Sequence, residues 1–249
     1  MKNYHEDNIL EGDATNSQKV SEVLAGHQIN LVHCDPPYCL LTRRRKKGDK
    51  RDPHKRKKID HESVRRFESV KDFRVFTGKW LDALWPHLAP DAHFIIWTNL
   101  LGRETTTQEM QKRQYYLHGE YQWARYSKEK SGKGEKWLRL YEVALIFGPS
   151  PFITPKLDEP IPPRFFISGP HLTDLEKEQE GIEHPNHKPF APLLPLISYY
   201  SKQGDTLFDP FAGSGSLPRA AALMKRKSYA LELRPQWATL AKQRLLSLS

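Results

Sequence analysis

Apolar residues in this chain gather into short runs separated by polar stretches. Ile29–Cys34 (INLVHC), His93–Thr98 (HFIIWT), Tyr141–Gly148 (YEVALIFG), Thr206–Asp209 (TLFD) and Ser228–Leu233 (SYALEL) are nearly continuous rather than alternating. That pattern predicts strands buried on both faces of a parallel sheet. Between them the period lengthens. Phe76, Trp80, Leu81, Leu84, Trp85 and Leu88 recur at helical spacing in FTGKWLDALWPHL. PFAPLLPLISYYSKQGD reads as a helix that starts on prolines and stops before Gly204; SLPRAAALMKRK and RPQWATLAKQRLLSL read as two more. Strands alternating with helices predict an α/β fold, a mainly parallel sheet with helices on both faces. No internal repeat is visible. Pro149–His187 is rich in proline and irregular, and is expected to be an insertion or small subdomain rather than sheet.

Length and composition fit a single globular domain over residues 1–249, with 38% hydrophobic and 28% charged residues. No run approaches the ~20 apolar residues of a membrane span, and the first residues lack a signal-peptide core. With Cys34 and Cys39 as the two cysteines, neither a disulfide framework nor a structural zinc site is expected. The reading is a reducing, cytoplasmic protein, free of membrane.

Charge changes the picture more. Arg43, Arg44, Arg45, Lys46, Lys47, Lys50, Arg51, Lys55, Arg56, Lys57 and Lys58 stand against two aspartates, a net of +9 that equals the formal charge of the whole chain. The tract has no apolar period. It is expected to be a basic loop insertion, about residues 39–70, that binds a polyanion with strong salt dependence. A merely solvated loop is the plain alternative.

Two motifs carry chemistry. In DTLFDPFAGSGSLPRAA, Asp209 ends a strand and Gly213 and Gly215 precede a helix. Glycines there permit positive φ and close approach of a ligand to the backbone. Glu232 follows Gly215 by seventeen residues, at the end of the next strand, where an acidic side chain suits a ribose diol. No third glycine and no phosphate-binding lysine follow, which argues against NAD and ATP. Adenosine with a non-phosphate tail is left, and S-adenosylmethionine is the obvious candidate.

The second motif is Asp35-Pro36-Pro37-Tyr38, at the end of the first apolar run. A rigid turn with a packed tyrosine is the structural alternative. As chemistry, Asp35 accepts one hydrogen of an exocyclic amine. The carbonyl between the prolines accepts the other, since Pro37 has no N–H. Tyr38 stacks on the base, which must be turned out of its helix to arrive there.

Together these residues resemble the β-class amino-methyltransferases, S-adenosylmethionine-dependent enzymes acting on adenine N6 or cytosine N4 of DNA. The catalytic turn comes before the glycine loop, as in that circularly permuted class. HPNHKP (His184–Pro189) resembles the family's segment ahead of the loop. Gly12-Asp13, Trp123-Ala124-Arg125 and Tyr141-Glu142-Val143 resemble three others, with Arg125 in place of the usual lysine and Ala230-Leu231 in place of the usual glycine before the ribose acid.

The resemblance implies a Rossmann-like fold with a seven-stranded sheet. Asp13, Asp35, Lys188, Asp209, Phe211, Ala212, Gly213, Gly215 and Glu232 would serve the cofactor; Asp35, Pro36, Pro37 and Tyr38 would serve the target base. Residues 149–187 would form a small target-recognition insertion, with Arg164 able to read guanine edges. Asp in the tetrapeptide favours adenine N6 in double-stranded DNA, in a prokaryotic or phage-type setting such as restriction-modification. Cytosine N4, an RNA target and a non-catalytic nucleic-acid-binding protein are the alternatives. The intact Asp35, Tyr38, Gly213 and Glu232 argue against the last. His184 and His187 sit among prolines without a nearby cysteine, and no metal is expected. A homodimer is left open.

Overall fold

The computed structural model describes residues 8–41, 65–131, 134–151, 164–168, 172–182, 184 and 186–248. The basic tract from Arg43 to Lys58 therefore lies outside the described residues. Eight strands form one sheet: β1 (Ile9–Glu11), β2 (Ile29–Cys34), β3 (Leu88–Thr98), β4 (Tyr116–Ser131), β5 (Gly134–Gly148), β6 (Phe165–Ser168), β7 (Thr206–Asp209) and β8 (Lys227–Glu232). Their order is β1-β8-β7-β2-β3-β5-β4-β6. Every pairing is parallel except those of β5, which runs antiparallel to both β3 and β4.

Helices cover both faces, as expected. Helices α1 (Ser17–Leu24), α2 (Val70–Leu84) and α3 (Leu100–Gln111) bury Val23, Phe73, Trp80, Leu84 and Met110 on one face with Val32, Phe94 and Phe147 of the sheet. On the other, α5 (Leu194–Tyr200) and α6 (Ser216–Leu223) pack Leu196, Ile197, Leu217 and Ala221 on Leu31, Ile95 and Trp97. Helix α7 (Pro235–Leu246) closes the β1 edge with Ala241 and Leu245 against Ile9 and Ala230. Side chains start three of these helices. Asn16, Ser69 and Asn99 accept from N–H groups of the first turns of α1, α2 and α3, a contribution of ~1 kcal/mol each.

Two expectations need correction. The sheet has eight strands among the described residues, not seven. Residues 149–187 are not wholly separate from it, because Phe165–Ser168 pairs with β4 in parallel register, and the segment also carries α4 (Leu172–Glu180). Four residues between proline-rich flanks are too few to declare a period. Ser168 is buried and Phe166 half-buried, while Phe165 and Ile167 face outward, the alternation of a one-sided edge strand.

The topology fixes where a ligand fits. The chain leaves β7 through α6 toward β8, and leaves the adjacent β2 through α2 toward β3 in the opposite direction. Such a switch point opens a crevice at the carboxyl ends of the strands.

Candidate active site

Both motifs meet at that crevice. β2 delivers Asp35-Pro36-Pro37-Tyr38, and its neighbour β7 delivers Asp209 and the loop to Gly215. β8 brings Glu232 and β1 brings Asp13 to the same edge, where Glu11 pairs with Glu232.

The glycine loop is held by its own carboxylates. Asp209 Oδ1 accepts from Phe211 N at 2.9 Å. Glu232 accepts from Gly213 N at 2.8 Å and from Arg234 N at 3.0 Å. Ala212 N donates to Leu231 O at 2.8 Å. Phe211 lies edge-on to Trp80 with ring centres 5.5 Å apart. Gly213 and Gly215 adopt φ of +52° and +77°, the left-handed region expected of them. The space beside them, however, is taken by protein. A Cβ on Gly213 would stand 3.2 Å from the His184 ring, and one on Gly215 would stand 2.9 Å from Ala241 of α7. Packing within the chain therefore disfavours a side chain at Gly215, and less strongly at Gly213. Asp13 is exposed, and its Oδ1 accepts from Thr15 N at 2.8 Å to turn the chain into α1.

The Asp35–Tyr38 turn is anchored downstream. Leu40 N donates to Tyr38 O at 2.7 Å, and Asn99 Nδ2 donates to Cys39 O at 3.1 Å while its Oδ1 caps α3. Lys188 also reaches this turn. Sequence reasoning placed it at the cofactor pocket. The structure places its ammonium against the turn, 3.3 Å from Asp35 Oδ2 and 2.6 Å from Glu142 Oε2. Below it lie Trp97, with the ring centre 4.1 Å from Nζ, and Trp123 at 5.4 Å, a cation–π floor. Tyr38 Oη donates to the same Glu142 oxygen at 3.0 Å. Beneath, Trp97 Nε1 donates to His33 Nε2 at 3.0 Å.

His187 locks the lysine's segment in place. Its Nδ1 sits 2.9 Å from Ser214 Oγ and 3.0 Å from Ser216 Oγ, and its Nε2 lies 3.1 Å from Glu176. HPNHKP is therefore stitched to the end of the glycine loop. Among the described residues no group of three or more His, Cys, Asp or Glu could hold a metal ion.

Burial decides the titration of this site. It pushes Asp209 well above the usual carboxylate range and raises Glu232. Burial also raises Asp35, against the pull of Lys188, with Glu142 adding to the rise. For Lys188, burial works to depress the ammonium, but Asp35 and Glu142 outweigh it and hold it above its ordinary value. His33 is pushed down to about 3 by burial and by Lys188, so its imidazole is neutral. Asp35 Oδ1 and Asp209 Oδ2 are buried atoms without a hydrogen-bond partner. Two such oxygens on neighbouring strand ends are costly, and suit a ligand that brings positive charge or N–H donors.

Arg164 is exposed just before β6, where its carbonyl accepts from Gln122 N at 2.9 Å. That places it at the far edge of the sheet, beyond β5 and β4. Glu142, His33, Trp97, Trp123, Asn99 and His187 were not among the expected site residues. Glu142 had a signal in the family-like Tyr141-Glu142-Val143, which does not reveal its partners.

The family model of DNA methylases in the N6/N4 class matches residues 29–243. This chain belongs to that DNA methylase family. Among solved structures, the M1.HpyAVI complex with S-adenosylmethionine superposes with a TM-score of 0.63 at 18% identity, covering 95% of this chain and 98% of that one. The cytosine-N4-specific PvuII DNA methyltransferase superposes with a TM-score of 0.63 at 16% identity, over 95% and 85%. These likenesses establish the fold of this chain. Local sequence matches are closer and shorter. The orphan methyltransferase M.BamHII of Bacillus amyloliquefaciens is 36% identical over 65 residues, 26% of this chain and 24% of that protein. The Escherichia coli (strain K12) protein YubD is 40% identical over 62 residues, 25% and 27%. The matches thus span about a quarter of each of these two curated relatives. No helix among the described residues is long and apolar enough to cross a membrane.

Proposed function

We propose that this methylase transfers the methyl group of S-adenosylmethionine to the exocyclic N6 amine of adenine in double-stranded DNA, with the base turned out of the helix. The observation that carries the reading is the pair of unpartnered carboxylate oxygens, Asp35 Oδ1 and Asp209 Oδ2, at the switch point of a methylase sheet. S-adenosylmethionine carries a sulfonium and an ammonium, so its charge fits a crevice lined by Asp35, Asp209 and Glu232. When bound it supplies an electrophilic methyl group and departs as a neutral thioether.

The chain's own residues do the rest. Asp209 and the Phe211–Gly215 loop hold the cofactor's cationic and adenosine portions, and Glu232 receives its ribose hydroxyls on lone pairs its two backbone donors leave open. Asp13 stands by the adenine. Asp35 Oδ1 accepts an N–H of the target amine, and the carbonyl between Pro36 and Pro37 accepts the second. The nitrogen is then drawn toward sp³ geometry with its lone pair aimed along the line of attack, the positioning that an activated donor chiefly requires. The amine gains a carbon and a positive charge, and sheds a proton to Asp35 and from there to water. Tyr38 stacks on the base. The cations from Arg43 to Lys58 neutralise phosphates of the duplex, and Arg164 is a candidate reader of bases.

The choice of adenine rests on the resemblance carried by Asp35, since a carboxylate accepts from either exocyclic amine. The test is incubation with labelled S-adenosylmethionine and duplex DNA, single-stranded DNA or RNA, followed by digestion to nucleosides. N6-methyladenine from duplex DNA is expected. N4-methylcytosine overturns the base, and methylation confined to RNA overturns the polymer.

A further inference from the structure

We propose that Glu142 and Lys188 are positioning residues for Asp35, a buried carboxylate–ammonium pair that leaves one chosen Asp35 oxygen free for the target amine and keeps it an acceptor. The proposal rests on the reading above, in which Asp35 receives the amine.

Three separate elements build the arrangement. Asp35 follows β2, Glu142 lies on β5 opposite Trp123 of β4, and Lys188 lies in the segment before α5. Lys188 is buried, 5% exposed, and its three N–H donors meet two carboxylates and the Trp97 face. Glu142 Oε2 receives both Lys188 Nζ and Tyr38 Oη. One carboxylate oxygen thereby holds both the ammonium and the tyrosine hydroxyl.

The consequence for Asp35 is asymmetry. Oδ2 is occupied by Lys188, Oδ1 is a buried atom without a hydrogen-bond partner, and the Tyr38 hydroxyl lies close enough to the carboxylate to favour its charged form. An amine arriving at Oδ1 finds an acceptor whose orientation is already set from behind. A neutral carboxylic acid would put a hydrogen where an acceptor is needed. The groups facing Asp35 mostly push it that way: Glu142 from β5, Asp209 from β7 and the loss of water all oppose its charge. Tyr38 on its own turn and Lys188 work in the other direction. Cys34, just before it, is buried and held as the thiol. Among the described residues acting on Asp35, Lys188 is therefore the cation, and His33 beneath it is neutral.

Two variants separate this role from a merely structural one, because they move Asp35 in opposite directions. Lys188→Met removes the cation and raises the pH at which Asp35 ionises. Glu142→Gln removes the opposing anion, releases Lys188 to Asp35, and lowers it. The direct measurement is carbon-13 NMR titration of the Asp35 carboxyl, assigned with Asp35→Asn, which requires no turnover. The parallel measurement is the acid limb of kcat/KM, which should rise in pH for Lys188→Met and fall for Glu142→Gln.

Midpoints that stay together, or move in the same direction in both variants, overturn the proposal. So do midpoints that separate as expected while the acid limbs stay put. If Lys188→Met fails to fold, the downward shift in Glu142→Gln decides alone. A wild-type protein that methylates no nucleic acid sinks the functional reading instead, whereas active wild type with an unmoved Asp35 sinks only this inference.

Discussion

Gly215→Ala tests whether the glycine loop is glycine-rich for its ligand or for its own packing. Gly215 holds φ at +77° at the start of α6, and a Cβ there would lie 2.9 Å from both Cα and Cβ of Ala241. The left-handed backbone costs an ordinary residue about 1–2 kcal/mol. The close approach is to helix backbone and a methyl stub, neither able to rotate away, and overpacking of that kind costs about 1–3 kcal/mol. The sum is about 2–5 kcal/mol. For a chain of this size each kcal/mol lowers the melting temperature by ~2–4 °C, so a fall of roughly 4–20 °C is expected. Gly213→Ala is the internal control. Its added methyl would meet the His184 ring at 3.2 Å, a clash that a small shift of the ring relieves, so its destabilisation should be the smaller. Scanning calorimetry of the three proteins without ligand gives the ranking directly. A Gly215→Ala protein melting within about 2 °C of wild type, or a larger fall for Gly213→Ala, refutes the packing argument and returns the glycines to ligand approach.

Asp35→Ala should lower methyl transfer by far more than tenfold, while S-adenosylmethionine affinity, read by isothermal calorimetry, falls by a smaller factor; turnover within tenfold of wild type removes Asp35 from the chemistry. Tyr38→Ala should cost more than Tyr38→Phe or Tyr38→Trp, since stacking is worth ~1–3 kcal/mol per base, or roughly 5- to 150-fold; equal losses in the kcat/KM of all three would assign Tyr38's role to its hydroxyl on Glu142. Asp209→Asn gives a pH test. Burial raises Asp209 above its unfolded value of 3.8, so ionising it opposes folding as pH rises through the folded value, and below the unfolded value it costs nothing. The asparagine protein without ligand should melt higher than wild type at pH 8 and alike near pH 3, yet bind the cationic cofactor more weakly; a lower melting point at pH 8 would mean the carboxylate is compensated in the fold. Neutralising six cations of the Arg43–Lys58 tract should weaken binding to cognate and unrelated duplexes alike and reduce the salt slope by up to ~0.9 for each phosphate no longer neutralised; a vanished sequence preference with an unchanged slope would make the tract a reader of bases.

Much of the central sheet was legible because burial on both faces forces composition. INLVHC, HFIIWT, TLFD and YALE became β2, the end of β3, β7 and β8, and the motif order identified the family. The elements that escaped are those with mixed surroundings. β4 (YLHGEYQWARYSKEKS) is polar along most of its length, although Tyr121 and Trp123 are fully buried. Helix α3 buries Gly102, Thr105, Thr106, Glu109 and Met110 at helical spacing. The period is present, but four of the five are not large apolar residues, so a hydrophobic pattern does not register it. Its buried Glu109 is tolerated because Lys112 and Arg113 pair with it from the next turn.

The chemistry divides along the same line. Local backbone requirements wrote Asp35-Pro36-Pro37-Tyr38 and the glycine loop into contiguous residues, and those could be read directly. What joins Lys188 to Asp35 and Glu142 is the lateral order of β2, β3 and β5 and the pinning of His187 on Ser214 and Ser216. Charge neutralisation depends on distance in space and on the water excluded around it. Neither is encoded in periodicity, so only the folded sheet could decide which cation faces Asp35.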